Sequence, residues 1–339
     1  MAAAHVTHWR PTGGGGVTAS YYPGEVTTSP AFVPPPAKPR EGVRADKAPV
    51  HPWLRRLFWL NLAVEIGIVI TGGLVRLTGS GLGCPTWPQC VPGSFTPVEH
   101  QEQSYHKYIE FGNRTLTGLV SVVALALLIG IIKWAPQRKG LRAPVAGVLG
   151  GIALQAIVGG ITVHMELNPF IVALHFLISM LLVSASAWLI WRGREGDGER
   201  RLLVVRPIEI TAWLTTAVAF VVLVLGTIVT GSGPHSGDAV APARTGFDPR
   251  SVSWLHADAV MFFVGLVIAV LLAQKVTKAS HQSVKMWTGL LVVTLAQGAI
   301  GYVQYFTGLP WVIVLVHMFG AALLVTYMTW AMCSLRERI

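Results

Sequence analysis

Residues 143–191 decide the fold, and they read APVAGVLGGIALQAIVGGITVHMELNPFIVALHFLISMLLVSASAWLIW. Two stretches within them, 143–163 and 169–191, contain no Asp, Glu, Lys or Arg. Each stretch has the length that a helix needs to cross a bilayer core of ~30 Å. The short segment between them leaves room only for a tight connection. The pattern therefore predicts two antiparallel transmembrane helices.

Similar apolar stretches recur along the whole chain. The other predicted spans are 57–78, 111–133, 208–230, 251–274, 286–306 and 311–333. Of the 339 residues, 52% are apolar and 12% are charged, and that charged share is about half of what a soluble domain carries. This composition excludes a soluble enzyme and a secreted disulfide scaffold. In a soluble chain the net charge of +10 would suggest nucleic acid as a partner, but here the lipid bilayer explains it better.

The basic residues sort to one side of these spans. Of the 26 Lys and Arg residues, 21 fall on one side, and the other side holds only Arg76, Lys107, Arg114, Arg244 and Arg250. Because basic residues concentrate on the cytoplasmic side of a membrane, both termini are predicted to be cytoplasmic. We expect a disordered cytoplasmic tail over 1–56 without a signal peptide, a cytoplasmic linker over 192–207 and a cytoplasmic C-terminus over 334–339.

The sequence also repeats itself. Gln155 precedes His175 by 20 residues, and Gln297 precedes His317 by the same number. The matches define two four-helix halves, 57–191 and 208–333. Each half has an even number of spans, so both share one orientation. We predict an all-α polytopic membrane protein whose two four-helix bundles are related by a pseudo-two-fold axis along the membrane normal.

The repeat brings histidines to corresponding positions inside the membrane. It pairs His256 with Asn113, as it pairs His317 with His175. A lone intramembrane histidine often makes only an interhelical hydrogen bond, and a proton relay is another use. Two histidines at one depth on alternate helices favour haem ligation, so His256 and His317 are predicted axial ligands of haem iron. His175 is the ligand expected in the first half, opposite Asn113, whose amide is a poor iron ligand.

Charged residues cluster near the same level. Glu110 is one helical turn from Arg114 and from Asn113, so it is a candidate catalytic or proton-handling residue, and a plain surface ion pair is the alternative. Arg76 and Arg114 are candidates for binding the propionates of a haem, or they only reach the membrane interface. Glu65 lies in the middle of the first span, and its role is left open.

Two further features of the outer loop allow alternatives. Cys84 and Cys90, six residues apart, are expected to form a disulfide on the oxidising side, with two free thiols as the alternative. A zinc site that adds His100 and His106 is a third option. His106 also precedes Asn113 by seven residues, or ~10 Å of helix, so it would reach an iron there only if the loop folded back.

Residues 71–90, TGGLVRLTGSGLGCPTWPQC, resemble the first-span and outer-loop signature of the haem A synthases of the CtaA type, in an actinobacterial-like variant. Ile109–Phe111, Leu167–His175 and the pair of His256 and His317 match the same family. The resemblance covers about 57–333.

The resemblance implies a membrane enzyme. Haem A synthases oxidise the C8 methyl of haem O to a formyl group, which gives haem A for terminal oxidases. The first half would hold haem O or haem A as substrate or product, and the second half would hold a haem b. Cys84 and Cys90 would form a disulfide, and Glu110 would be essential. The family carries histidines at all four repeat positions, so Asn113 is a departure from it.

This interpretation predicts a multi-pass protein of the cell membrane with its haem sites toward the outer face. The expected partners are haem O, an electron donor, haem O synthase and assembly factors of the terminal oxidase. A membrane b-type cytochrome that only transfers electrons is the alternative, and a transporter is the third candidate.

Overall fold

In the computed structural model, residues 50–238 and 240–338 are described, and they contain eight long helices. The helices are α1 (Pro52–Leu77), α2 (His106–Trp134), α3 (Arg142–His164), α4 (Pro169–Arg192), α5 (Arg206–Ser232), α6 (Pro249–Val276), α7 (His281–Phe306) and α8 (Trp311–Cys333). All eight are long and apolar enough to cross a membrane. The prediction of an all-α polytopic membrane protein with eight spans is confirmed.

Several helices begin before their apolar stretch does. The α1 helix begins at Pro52, where the ring nitrogen of His51 accepts a hydrogen bond from the Trp53 N–H and caps the helix. Proline suits the first helical turn because the amide hydrogen that it lacks would have no partner there. The predicted end of the tail at residue 56 therefore lies inside the first helix, since 52–56 are helical. The rest of that tail, 1–49, lies outside the described residues.

A small sheet joins the segments predicted as linker and C-terminus. Strand β1 (Arg200–Leu202) pairs antiparallel with β2 (Arg336–Arg338). The neighbouring buried Arg192 forms ion pairs with Glu195 and Asp197. The segments predicted as a cytoplasmic linker and a cytoplasmic C-terminus thus satisfy backbone groups by pairing with each other, and their cytoplasmic location stays a prediction.

Each half of the chain has its own apolar core. One cluster of buried side chains comes mainly from α1 to α4, and the other comes from α5 to α8. The halves meet where α1 and α4 contact α8, and where α4 contacts α5. At this interface Gly73 lies so close to Met318 that a side chain on the glycine would collide with it. The pseudo-two-fold relation between the halves stays a prediction.

Candidate functional site

One cavity of about 800 Å³ is lined by side chains from both halves. This volume is in the upper part of the range of small-molecule and cofactor sites. His175, His256 and His317 line the cavity, as do Asn113 and Glu110. The three intramembrane histidines thus line the same cavity as all four predicted polar residues, since Arg76 and Arg114 also line it.

A glycine lies behind each of these histidines. A methyl group on Gly159 or on Gly226 would come within 3.3 Å of Cε1 of His175 or His256, respectively. The same contact recurs at Gly301, where the distance to Cε1 of His317 would be 3.6 Å. In every case the glycine is on the helix that precedes the histidine's helix. A Cβ at Gly159 or Gly226 would crowd the imidazole, whereas a Cβ at Gly301 would make an ordinary van der Waals contact with it.

Glutamines brace two of the histidine helices. The side-chain amide of Gln155 donates to the carbonyl of His175 at 3.0 Å, and that of Gln297 donates to the carbonyl of His317 at 2.8 Å. The repeated Gln-to-His spacing of the sequence therefore corresponds to a repeated contact. The glutamine binds the backbone of the histidine, and the imidazole is left for the cavity.

Asn113 occupies the fourth such position. Its Nδ2 is the atom nearest to a methyl group placed on Gly72, at 3.9 Å. The hydroxyl of Thr71 donates to Oδ1 of Asn113 at 2.7 Å, which is the shortest of its hydrogen bonds. Since Oδ1 is engaged in this bond, Asn113 has its N–H donors left to offer to the cavity.

Glu110 and Arg114 clamp the first outer loop. One carboxylate oxygen of Glu110 accepts from the backbone N–H of Cys84 at 2.5 Å, and the other accepts from Arg114. Arg114 also donates to the carbonyls of Cys84, Thr86 and Gln89. All five N–H groups of the guanidinium therefore have acceptors within the protein. Propionate binding by Arg114 stays a prediction, and it would require exchanging these bonds.

The loop after α1 and the loop after α5 meet at one end of the cavity. Arg76 donates from Nε to the carbonyl of His235 at 2.8 Å, and from Nη2 to that of Thr230 at 3.1 Å. The backbone N–H of Gly81 donates to the carbonyl of Gly237 at 2.8 Å. Arg76 lines the cavity, and its Nη1 makes no hydrogen bond to another described residue, so one end of this guanidinium remains available to an anion.

The cysteines of the first loop are linked. Cys84 and Cys90 form a disulfide, and both are fully buried. In the part of the chain that the structure describes, no group of three or more His, Cys, Asp or Glu side chains could hold a metal ion. The disulfide prediction thus agrees with the structure, whereas the alternatives of two free thiols and a zinc site do not.

We expect the double variant Cys84→Ser/Cys90→Ser to loosen this loop without unfolding the bundle, because the disulfide closes only a short loop. The Cys84 backbone is held by both Glu110 and Arg114, so loosening should lower activity as well. Limited proteolysis should show new cleavage confined to the outer loop. Two free thiols in non-reduced peptides of the oxidised native protein would contradict the prediction.

Two other predicted residues have different positions. The ring Nδ1 of His106 hydrogen-bonds to the Ser80 hydroxyl at 2.8 Å, and His106 is not among the residues that line the cavity. Glu65 lines the cavity from the middle of α1 and is 3% exposed.

Thr71, Trp87 and the glycines behind the histidines are site residues that were not predicted from the sequence. Trp87 lines the cavity and packs against Gly160, where a side chain would collide with the indole. The signal for two of the glycines is present in the sequence, because Gly159 and Gly301 each follow a repeated glutamine by four residues. The role of Thr71 depends on the contact between α1 and α2.

The fold and the site define a class of protein, an eight-helix membrane bundle whose histidines line one cavity, and comparison with known proteins narrows this class. The family model of the cytochrome oxidase assembly proteins COX15-CtaA matches residues 55–236. The chain therefore belongs to the COX15-CtaA family and is a multi-pass membrane protein.

Several curated relatives carry the name heme A synthase. The protein from Staphylococcus epidermidis is 26% identical over 294 residues, which are 81% of this chain and 92% of that protein. The one from Bacillus pumilus is 26% identical over 78% of this chain and 90% of its own length. The one from Staphylococcus saprophyticus is 29% identical over 52% of this chain and 59% of its own length.

Proposed function

We propose that this protein is a haem A synthase, a membrane oxidoreductase that converts the C8 methyl of haem O to a formyl group and so supplies haem A to terminal oxidases. The observation that carries the proposal is the cavity in which three glycine-backed histidines meet. Family membership and relatives named heme A synthase, matched over most of their length, support it. The family and the relatives give no support to the alternative function, a cytochrome that only transfers electrons.

The residues around the cavity fit haem. Nδ1 of His175, of His256 and of His317 is buried and makes no hydrogen bond to another described residue. These three Nδ1 atoms are therefore without a partner in the described part of the protein, and a neutral imidazole is a haem ligand. We assign His256 and His317 to a haem b in the second half, and His175 to the substrate haem in the first half.

When bound, haem supplies the iron redox chemistry that oxidation of a methyl group requires, because side chains lack it. The protein's own residues bind and orient the substrate. Arg76 offers Nη1 to an anionic substituent at the outer end of the cavity, and the roof of outer loops limits the access of water. Glu110 lines the cavity and can hold a proton on its carboxylate when Arg114 or Cys84 releases an oxygen.

We place the protein in the cell membrane with both termini cytoplasmic and with the cavity toward the outer face. The distribution of basic residues supports this orientation. The disulfide supports it too, because disulfides persist in oxidising compartments. Haem O synthase, an electron donor and assembly factors of the terminal oxidase are the partners that this function would require.

The function can be tested by pigment extraction. Cells that make this protein together with a haem O synthase should yield haem A, and cells with the synthase alone should yield haem O. Haem O as the sole product, from membranes that contain the folded protein, would contradict the proposal.

Asn113 provides a sharper prediction about the first half. We expect the haem O there to be held by His175 on one side, with the side of Asn113 open or occupied by water. The native protein should then show a high-spin component, and Asn113→His should shift it toward low spin because a second imidazole becomes available. Absorption and resonance Raman spectra of the protein loaded with haem O measure this shift.

His106→Ala is the matched control for Asn113→His. Little change is expected, since His106 bonds to Ser80 and lies outside the cavity lining. A native low-spin signal from haem O that disappears in His106→Ala would show that His106, and not an open face, lies opposite His175.

A further inference from the structure

Glu65 is a buried carboxyl group without a partner. It lies in the middle of α1, is 3% exposed and lines the cavity. Its Oε1 makes no hydrogen bond to any other described residue. The residue precedes Gly72 by seven positions, which places it ~10 Å deeper along the helix than the level of Asn113. A polar group is therefore present at the inner end of the cavity.

The other cavity side chains at the depth of Glu65 are apolar. Side chains that line the cavity on nearby turns and on facing helices include Ile68, Val69, Val120, Ile152 and Leu182. The cavity cations are distant or engaged, since Arg76 is eleven residues away, ~16 Å along α1, and Arg114 is saturated by the outer loop. Burying a carboxyl group without a partner is costly, so we expect its partner to be something that enters the cavity.

The chemistry of the inner cavity limits what that partner can be. A group held there must be mostly apolar, to match the walls, and must carry one small hydrogen-bonding function. A hydroxyl on a hydrocarbon chain meets both requirements, because a carboxyl group can accept its hydrogen bond and, when protonated, can also donate one. The free Nη1 of Arg76 suits the acidic end of such an amphiphilic ligand, so the opposite end would point inward.

We propose that Glu65 binds the hydroxyl group of the hydroxylated isoprenoid side chain of haem O, and that it thereby makes the first half prefer haem O over haem b. The inference rests on the proposed function. It names a residue that selects the substrate, separate from the residues that bind iron or handle protons.

The second half offers an internal comparison. Gly72 and Gly226 make corresponding contacts, with Asn113 and with His256 respectively. Seven residues before Gly226 is Ala219, which is buried in the apolar core of the second half. The half assigned to haem b thus has no hydrogen-bonding side chain at this position, and haem b has no hydroxylated side chain to bind.

A trapped water molecule is the rival partner. Asn61 is one turn from Glu65, and its Oδ1 is also buried without a hydrogen bond to a described residue. A water molecule between two such oxygens would satisfy both of them. In that case Glu65 would contribute equally to the binding of any haem.

The test compares two haems in three forms of the protein. The purified full-length protein, made in cells that lack haem O, is titrated with haem O and with haem b, and binding is followed by absorption. Glu65→Leu should weaken the binding of haem O by roughly three- to tenfold, the worth of one hydrogen bond, and should change that of haem b by less than twofold. Glu65→Gln should stay within about twofold of native for both, since an amide also donates and accepts.

Gln274→Leu is the matched control. Gln274 is a fully buried polar residue of α6 outside the cavity lining, and both of its side-chain polar atoms also lack partners. This variant should bind both haems as the native protein does, and every variant must elute as a single species with a native-like melting temperature.

Three results would overturn the inference. Equal weakening of both haems in Glu65→Leu, no weakening of either, or a loss in Glu65→Gln as large as that in Glu65→Leu would each do so. These results differ from failure of the proposed function, in which the native protein itself would not bind haem O or would not convert it.

Discussion

Replacing His256 or His317 with alanine is expected to abolish the low-spin absorption of the haem in the second half. Each imidazole lies against a glycine of the preceding helix, and the missing side chain of that glycine leaves room for the ring. With one axial ligand removed, the iron should become high-spin or the haem should be lost from the protein. Absorption and resonance Raman spectra of each purified variant measure the outcome.

His281→Ala is a suitable control, because His281 is exposed at the start of α7 and does not line the cavity. It should keep the native spectrum. If His256→Ala and His317→Ala both keep an unchanged low-spin spectrum, these residues are not the axial ligands, and the buried Nδ1 atoms need another explanation.

The second large effect is expected for Glu110→Gln, which should bind haem but lose conversion of haem O to haem A. A positioned acid or base contributes a factor of about 10² to 10⁴ to a rate, so at least a hundredfold loss of haem A is expected. Glutamine has nearly the shape of glutamate but lacks its charge. Haem A from cells that also make haem O synthase gives the readout.

The clamp on the outer loop makes a control necessary. Glutamine cannot accept from both Cys84 and Arg114 as the carboxylate does, so the variant also loosens the loop. Lys107→Met loosens the same loop, because Lys107 donates to the carbonyls of Val98 and Glu99, but Lys107 does not line the cavity. If Lys107→Met loses as much haem A as Glu110→Gln does, Glu110 acts by holding the loop and not by handling protons.

The apolar spans could be predicted closely, because a helix that crosses the bilayer needs an apolar stretch of a fixed length, and this stretch is visible in the sequence. The predicted 311–333 coincides with α8, and 169–191 is one residue shorter than α4. The starts of α1, α2 and α7 were each predicted five residues too late. These first turns contain polar residues, so helix formation continues beyond the hydrophobic stretch that the sequence marks.

Some contacts of the candidate site could be predicted from the sequence, and others could not. The pairing of Glu110 with Arg114 could be predicted, because residues four apart face each other on a helix. The bonds of both residues to the Cys84 backbone could not, since they depend on the path of a long loop. Thr71 was missed for a related reason, because its bond to Asn113 joins two helices whose rotation about their axes is set by packing.

The pairing of β1 with β2 has a consequence for biogenesis. A hydrogen bond from Arg338 to the carbonyl of Gly198 joins positions 140 residues apart, and β2 is synthesised only after α8. Since chains fold from the N-terminus as they are made, the connection between the halves must wait for its partner strand until every span has been translated. Formation of this two-stranded sheet is therefore a late event, which follows synthesis of the last helix.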